Sequence, residues 1–316
     1  MVRLGSGSYI YEVSGSDWGN LPENWTYQEA TSVGVDSKDN VYVFNRGTHP
    51  MVVFDNNGNL LRTWGDGFFK TPHGITIGPD DEVYCTDVAD HTVSKMTTDG
   101  NLIFTIGTSG KPGEAMSGQP FNRPTHLAVD PRNGDLFVAD GYSNAHVHHF
   151  TPEGKLVNSW GESGTGEGQF NIVHNIFLDE DGWVYIADRE NHRVQVFDTK
   201  GNFQTQWSNL SRAAAIYVDH RGSGLVYVGE YYGGIPSNVL GTDLGPRVTI
   251  LDRQGNIKAH LGNESYGDEP GRFYSPHGIS VDSKGNIYVA EVSWSDYGSR
   301  MEPPRELRSL QKLVKV

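Results

Sequence analysis

Apolar residues along the chain fall in short runs separated by turns rich in Gly, Asn and Asp, and the runs come in sets. The first full set covers residues 32–65: Val33-Gly34-Val35-Asp36, Asn40-Val41-Tyr42-Val43-Phe44-Asn45, Met51-Val52-Val53-Phe54-Asp55 and, after Asn57-Gly58-Asn59, Leu60-Leu61-Arg62-Thr63-Trp64-Gly65. Short runs enriched in Val, Tyr and Phe and bounded by such turns read as β-strands. The second run of each later set is equally clear, at Glu82 to Asp87, Asp135 to Asp140, Trp183 to Asp188, Leu225 to Glu230 and Asn286 to Glu291. Copies of four short strands recurring roughly every 40 to 60 residues predict a β-propeller. Six copies are present and no stretch carries an amphipathic helical period, so the expectation is an all-β, six-bladed β-propeller forming a single domain over residues 1–316. The sixth copy runs out after its third strand, Ser309 to Val316. The N-terminal stretch Tyr9 to Gly19 resembles the fourth strand Lys155 to Gly161 and is expected to complete the last blade, closing the ring without an exposed sheet edge.

Composition narrows the partners. With 36% hydrophobic residues in 316, the chain can bury a core, and 39 Gly and 15 Pro fit many turns. A net charge of −14 argues against a nucleic-acid backbone or an anionic membrane as partner. Cys85, the only cysteine, lies in an apolar run and reads as a core thiol, with no intrachain disulfide available. No apolar run is long enough for a signal peptide or a membrane span, so the expected location is cytoplasmic, or secreted if a leader has been removed. The Asn-X-Ser/Thr motifs at Asn24, Asn209 and Asn263 then read as loop chemistry.

The candidate chemistry comes from one register. Counting five residues back from the residue that closes each first strand (Asp36, Gly78, Asp130, Asp179, Asp219, Asp282) gives Thr31, His73, Thr125, His174, Ala214 and His277. First strands line a propeller's channel, so three imidazoles from alternate blades would meet at the axis with a small residue between each pair. Three neutral histidines suit zinc and leave a coordination position open for water or substrate. His126 follows Thr125 and a period-two strand turns it away from that point, so it reads as a core residue or a support to the ligands; His148, His149, His192 and His220 read as structural. After the acids or Asn that end second strands stand Arg46, Arg189 and, in Asp140-Gly141-Tyr142, Tyr142. The arginines could form a fork for a carboxylate and the tyrosine could act as general base. The longer connections Gly107 to Gln119, Gly161 to Gln169, Ser237 to Gly245 and Ser293 to Pro304 are expected at one mouth of the channel, the last able to cover a ligand.

The repeats resemble NHL repeats. Four segments, Phe44-Asn45-Arg46-Gly47, Pro72-His73-Gly74-Ile75, Val138-Ala139-Asp140-Gly141-Tyr142-Ser143-Asn144 and Ala187-Asp188-Arg189-Glu190-Asn191, are similar to the core of peptidyl-α-hydroxyglycine α-amidating lyase. The resemblance implies a catalytic zinc on His73, His174 and His277, with Tyr142 attending the substrate hydroxyl and Arg46 and Arg189 in the active site. The implied reaction breaks the C–N bond of a carbinolamide, releasing an amide and glyoxylate. The implied substrate is a small molecule or peptide C-terminus bearing a carboxylate. The family also holds a calcium, for which main-chain carbonyls at Val33 and Ile75 match, but Gly278 stands at the family's calcium-binding aspartate and Ser275 at its methionine. Family disulfides are absent. Two other readings remain open: another metal-dependent propeller enzyme, such as a lactonase-like hydrolase or a hydratase, and a non-catalytic NHL interaction module.

Overall fold

The computed structural model describes residues 2–15, 18–220, 222–231, 245–262 and 266–316. The first blade is an antiparallel sheet of Ala30–Val35, Val41–Asn45, Met51–Phe54 and Leu60–Trp64, and five further blades repeat that order outward from the axis. Their inner strands are Pro72–Ile77, His126–Val129, Val173–Leu178, Ala213–Val218 and Pro276–Val281. Each inner strand touches the next and the last touches the first, which closes the ring. A separate apolar cluster fills each gap between neighbouring blades, so burial is distributed around the ring. Cys85 is buried in one of them, as expected.

The last blade is completed from the N-terminus. Tyr9–Val13 pairs with Leu310–Lys315 in the register Tyr11↔Lys315 and Val13↔Leu313. A fifth strand, Arg3–Ser6, adds outside it, which the Gly5-Ser6-Gly7 sequence conceals because it reads as a turn alone. Trp18 shows the equivalence to a fourth strand. In blade one Trp64 lies against Gly100 of the next blade, where φ is +83° and a Cβ would stand 2.5 Å from the indole. Trp18 lies on Gly58 in the same way. Residues 16 and 17, most of the loop at 237–245 and the motif at Asn263 fall outside the described residues. The 293–304 connection, read as loop, holds one helical turn, Ser293–Asp296, and a 3₁₀ turn, Gly298–Arg300.

The recurring acids have two mechanical roles. At the end of the first strand, Asp36 accepts the backbone N–H groups of Lys38 and Asn40 and the hydroxyl of Tyr42; Asp282 repeats this with Lys284, Asn286 and Tyr288. At the end of the second strand, Asp87, Asp140, Asp188, Glu230 and Glu291 accept backbone N–H groups from the segment entering the inner strand, at Thr71, Asn122, Asn171, Ser211 and Tyr274. The entry to the inner strand is thereby pinned two or three residues ahead of the channel register in blades two to six.

Glu291, 1% exposed, holds both Tyr274 and Ser275, and burial pushes its carboxyl up to about 7. Because the folded value lies above the unfolded 4.5, its contribution is full below pH 4.5 and is lost as pH rises through about 7. Chemical denaturation of Glu291→Gln should therefore show the variant gaining on the parent between pH 5 and pH 8.5, by at most about 3 kcal/mol.

Candidate metal centre

Each inner strand breaks its ladder at the channel register. The pairs Ala30↔Asn45 and Ser32↔Phe44 leave Thr31 extra; Val173↔Asp188 and Asn175↔Ala187 skip His174; Pro276↔Glu291 and Gly278↔Ala290 skip His277. In blade two the gap falls between Pro72 and Ile75 and holds His73. Such a bulge lifts one residue out of the pleat and re-aims its side chain, here toward the axis.

Three imidazoles meet there. Candidate ligand atoms of His73, His174 and His277 lie within 4.8 Å of one another, and the residues are 1%, 1% and 3% exposed. No other group of three or more His, Cys, Asp or Glu with this spacing occurs among the described residues. The register residue of the following blade orients each ring. His73 Nδ1 donates to the Thr125 carbonyl at 2.7 Å, His174 Nδ1 to Ala214 at 2.7 Å and His277 Nδ1 to Thr31 at 2.5 Å. A carbonyl only accepts, so the proton is on Nδ1 and the Nε2 lone pair faces the common point. Burial holds all three rings neutral, their pKa well below the ordinary value; nearby cations push the same way, Arg46 on His73 and His277, Arg189 on His174. Neutral, convergent and carbonyl-anchored imidazoles are what a borderline-soft cation such as zinc requires.

The other expected residues stand around this point. Tyr142 Oη lies 2.9 Å from His73 Nε2 and 3.1 Å from His174 Nε2. Arg46 donates through Nε to the Pro72 carbonyl and through Nη1 to Glu29 at 2.6 Å and Ser295 at 3.3 Å. Arg189, 9% exposed, donates through Nε to Glu190, leaving its two terminal nitrogens without a hydrogen bond to any described residue. Its guanidinium lies 5.7 Å from the ring of Tyr142 and 5.7 Å from that of Tyr231. A buried cation with open donors is a receptor for an anion.

Three residues here escaped the sequence reading. Glu29, 1% exposed, binds Arg46 and both the backbone N–H (2.7 Å) and the hydroxyl (2.5 Å) of Ser295, which ties the 293–304 connection to the arginine. Asp296 accepts from Ser275 at 2.7 Å beside the mouth. Tyr231 follows Glu230 just as Arg46 follows Asn45, so the rule that found the arginines also reaches it.

His126 is not among the three convergent histidines, as its place one residue past Thr125 implies. Thr125 and His126 both stand opposite Ala139, the blade-three form of the same bulge, and His126 reaches the channel. It shares there a cavity of about 560 Å³ with Val33, Ile75 and Asn175. This is where the resemblance implies calcium, and the donor set does not fit it. Position 278 has no side chain, and a Cβ would stand 2.6 Å from Ser32 Cα. The cavity's acids, Asp81 and Glu180, are engaged by Ser37 and Arg253. What remains is carbonyls, Asn175 Oδ1 and His126 Nδ1, the last two without a hydrogen-bond partner among the described residues; a hard cation needs charged oxygens. His148 and His149 are hydrogen-bonded structural residues, to Asp140 and Ser159 and to Asp135 and Asn158.

Residues 121–150, 170–197 and 273–295 match the NHL repeat. The fold and these repeats define the chain as a six-bladed NHL-repeat β-propeller. It is homologous to peptidyl-α-hydroxyglycine α-amidating lyase, being 32% identical to lyase 1 of Drosophila melanogaster over 83% of this chain and 55% of that protein. It is 29% identical to peptidyl-glycine alpha-amidating monooxygenase B of Xenopus laevis over 94% of this chain and 36% of that one, and 35% identical to human NHL repeat-containing protein 3 over 61% and 58%. The chain thus spans between about a third and just over half of these relatives. Among solved structures, virginiamycin B lyase from Staphylococcus aureus superimposes with a TM-score of 0.60 over 97% of this chain and 100% of that one, at 15% identity, a likeness of fold. Among the described residues no helix is long and apolar enough to cross a membrane.

Proposed function

We propose that the protein is a zinc-dependent lyase that breaks the C–N bond of a carbinolamide bearing a carboxylate, giving an amide and an aldehyde such as glyoxylate. The observation that carries this reading is the convergence of three Nε2 lone pairs on one point beside a tyrosine hydroxyl, between two guanidiniums. The homology to amidating lyases supports it from a separate direction.

Zinc, held by His73, His174 and His277, would supply Lewis-acid polarisation of the substrate oxygen. Arg46 and Arg189 hold the carboxylate and so fix the carbinol carbon near Tyr142. Tyr142, ionised by loss of its own proton to solvent, takes the hydroxyl proton as the C=O double bond forms, and the C–N electron pair leaves with nitrogen. That nitrogen gains a proton, so one proton passes in effect from oxygen to nitrogen and no water is consumed. Glu29 sets the angle of Arg46, and Glu29→Gln should raise KM for a carboxylate substrate about tenfold with a smaller change in kcat, read in steady-state kinetics.

The test is glyoxylate release from α-hydroxyhippurate. The expected result is turnover that a chelator abolishes and zinc restores. Protein carrying stoichiometric zinc yet releasing no glyoxylate would overturn the proposal.

A further inference from the structure

The lyase reading leaves one atom unaccounted for, the group that protonates the departing nitrogen. An amide anion is a poor leaving group, and Tyr142, once it has taken the hydroxyl proton, lies on the oxygen side of the bond. Tyr231 is 3% exposed, and its hydroxyl is buried with no hydrogen-bond partner among the described residues. A phenol so placed is costly unless a ligand completes it. Its ring lies 6.4 Å from that of His174 and 6.2 Å from that of His277, whereas Tyr142 bonds His73 and His174, so the two tyrosines adjoin different pairs of histidines.

We propose that Tyr231 is a second catalytic tyrosine, which donates its phenolic proton to the amide nitrogen as the C–N bond breaks; the proposal rests on the lyase reading above. Tyr142, its own proton already lost to solvent, accepts the hydroxyl proton as the phenolate, the O–H pair becomes the second C=O bond, the C–N pair moves to nitrogen, and Tyr231 supplies the proton that nitrogen needs. One proton then returns from Tyr142 to Tyr231 through solvent, restoring both groups with no oxidant, reductant or water consumed. Arg189 fits this exchange, since its guanidinium is 5.7 Å from both rings and stabilises whichever phenol carries the charge. Arg212 stands 5.2 Å from the Tyr231 ring on its other side.

The experiment compares Tyr231→Phe with the parent on α-hydroxyhippurate and on its 4-nitrobenzoyl analogue, whose amide leaves more readily. A general acid matters most to the poorer leaving group, so kcat should fall about 10²-fold with the first and only a few-fold with the second. Equal losses on both substrates, or no loss, would overturn the assignment; an equal rise in KM on both would make Tyr231 a support for Arg189. Turnover of either substrate by the parent separates this outcome from failure of the lyase reading. Should the variant fold poorly, the parent alone decides: the solvent deuterium isotope effect on kcat/KM should be larger for the hippurate than for the nitro analogue, and equal effects would contradict the proposal.

Discussion

Replacing His277 by Ala is expected to release the metal and to lower turnover by roughly 10³-fold or more, the scale of charge stabilisation a bound metal supplies to a transition state. The ring is the meeting point of the centre: its centroid lies 4.5 Å from that of His73 and 4.6 Å from that of His174, and it alone bonds the Thr31 carbonyl, across the seam between the last blade and the first. The variant should still fold. It loses one buried hydrogen bond, a cost of about 1–3 kcal/mol, while the seam keeps its own apolar cluster and the pairing of Tyr9–Val13 with Leu310–Lys315. Metal content measured beside a thermal melt distinguishes these effects. A folded variant that retains full metal would show that the three rings do not share an ion.

The second large effect is expected from Tyr142→Phe. Loss of the hydroxyl that stands within 3.1 Å of two Nε2 atoms should reduce kcat by about 10²–10⁴-fold, the usual range for a general acid or base, while metal content and KM stay close to the parent's. The ring still packs between Arg123 and Arg189, so the pocket keeps its shape. Loss of metal together with activity would instead make Tyr142 a support for the histidines.

The propeller was legible because its signal repeats. Apolar alternation marks each strand, and the acids at strand ends, which accept backbone donors at fixed offsets, keep every copy in frame. Counting from those positions, with Gly78 in place of the acid in blade two, located all three histidines with no knowledge of contacts. What alternation hides is the bulge: it inserts one residue at the register, so His126, kept out of the histidine cluster by its offset from Thr125, still lines the channel cavity beyond it. Thr31, Thr125 and Ala214 looked like spacers because their role is played by carbonyls, which leave no mark on residue type. Glu29 has no counterpart in the other blades, so no repeat could flag it. Tyr231 was within reach of the rule that found Arg46 and Arg189, yet only the unpartnered hydroxyl gives it a role. The outermost strand Arg3–Ser6 is short and glycine-containing, and it forms because Tyr9–Val13 offers it an edge.

The centre itself is tested most directly by elemental analysis of the purified chain after dialysis. About one zinc per chain is expected, carried by three histidines. Zinc at no more than trace level, in protein that folds and has been offered the metal, would contradict it.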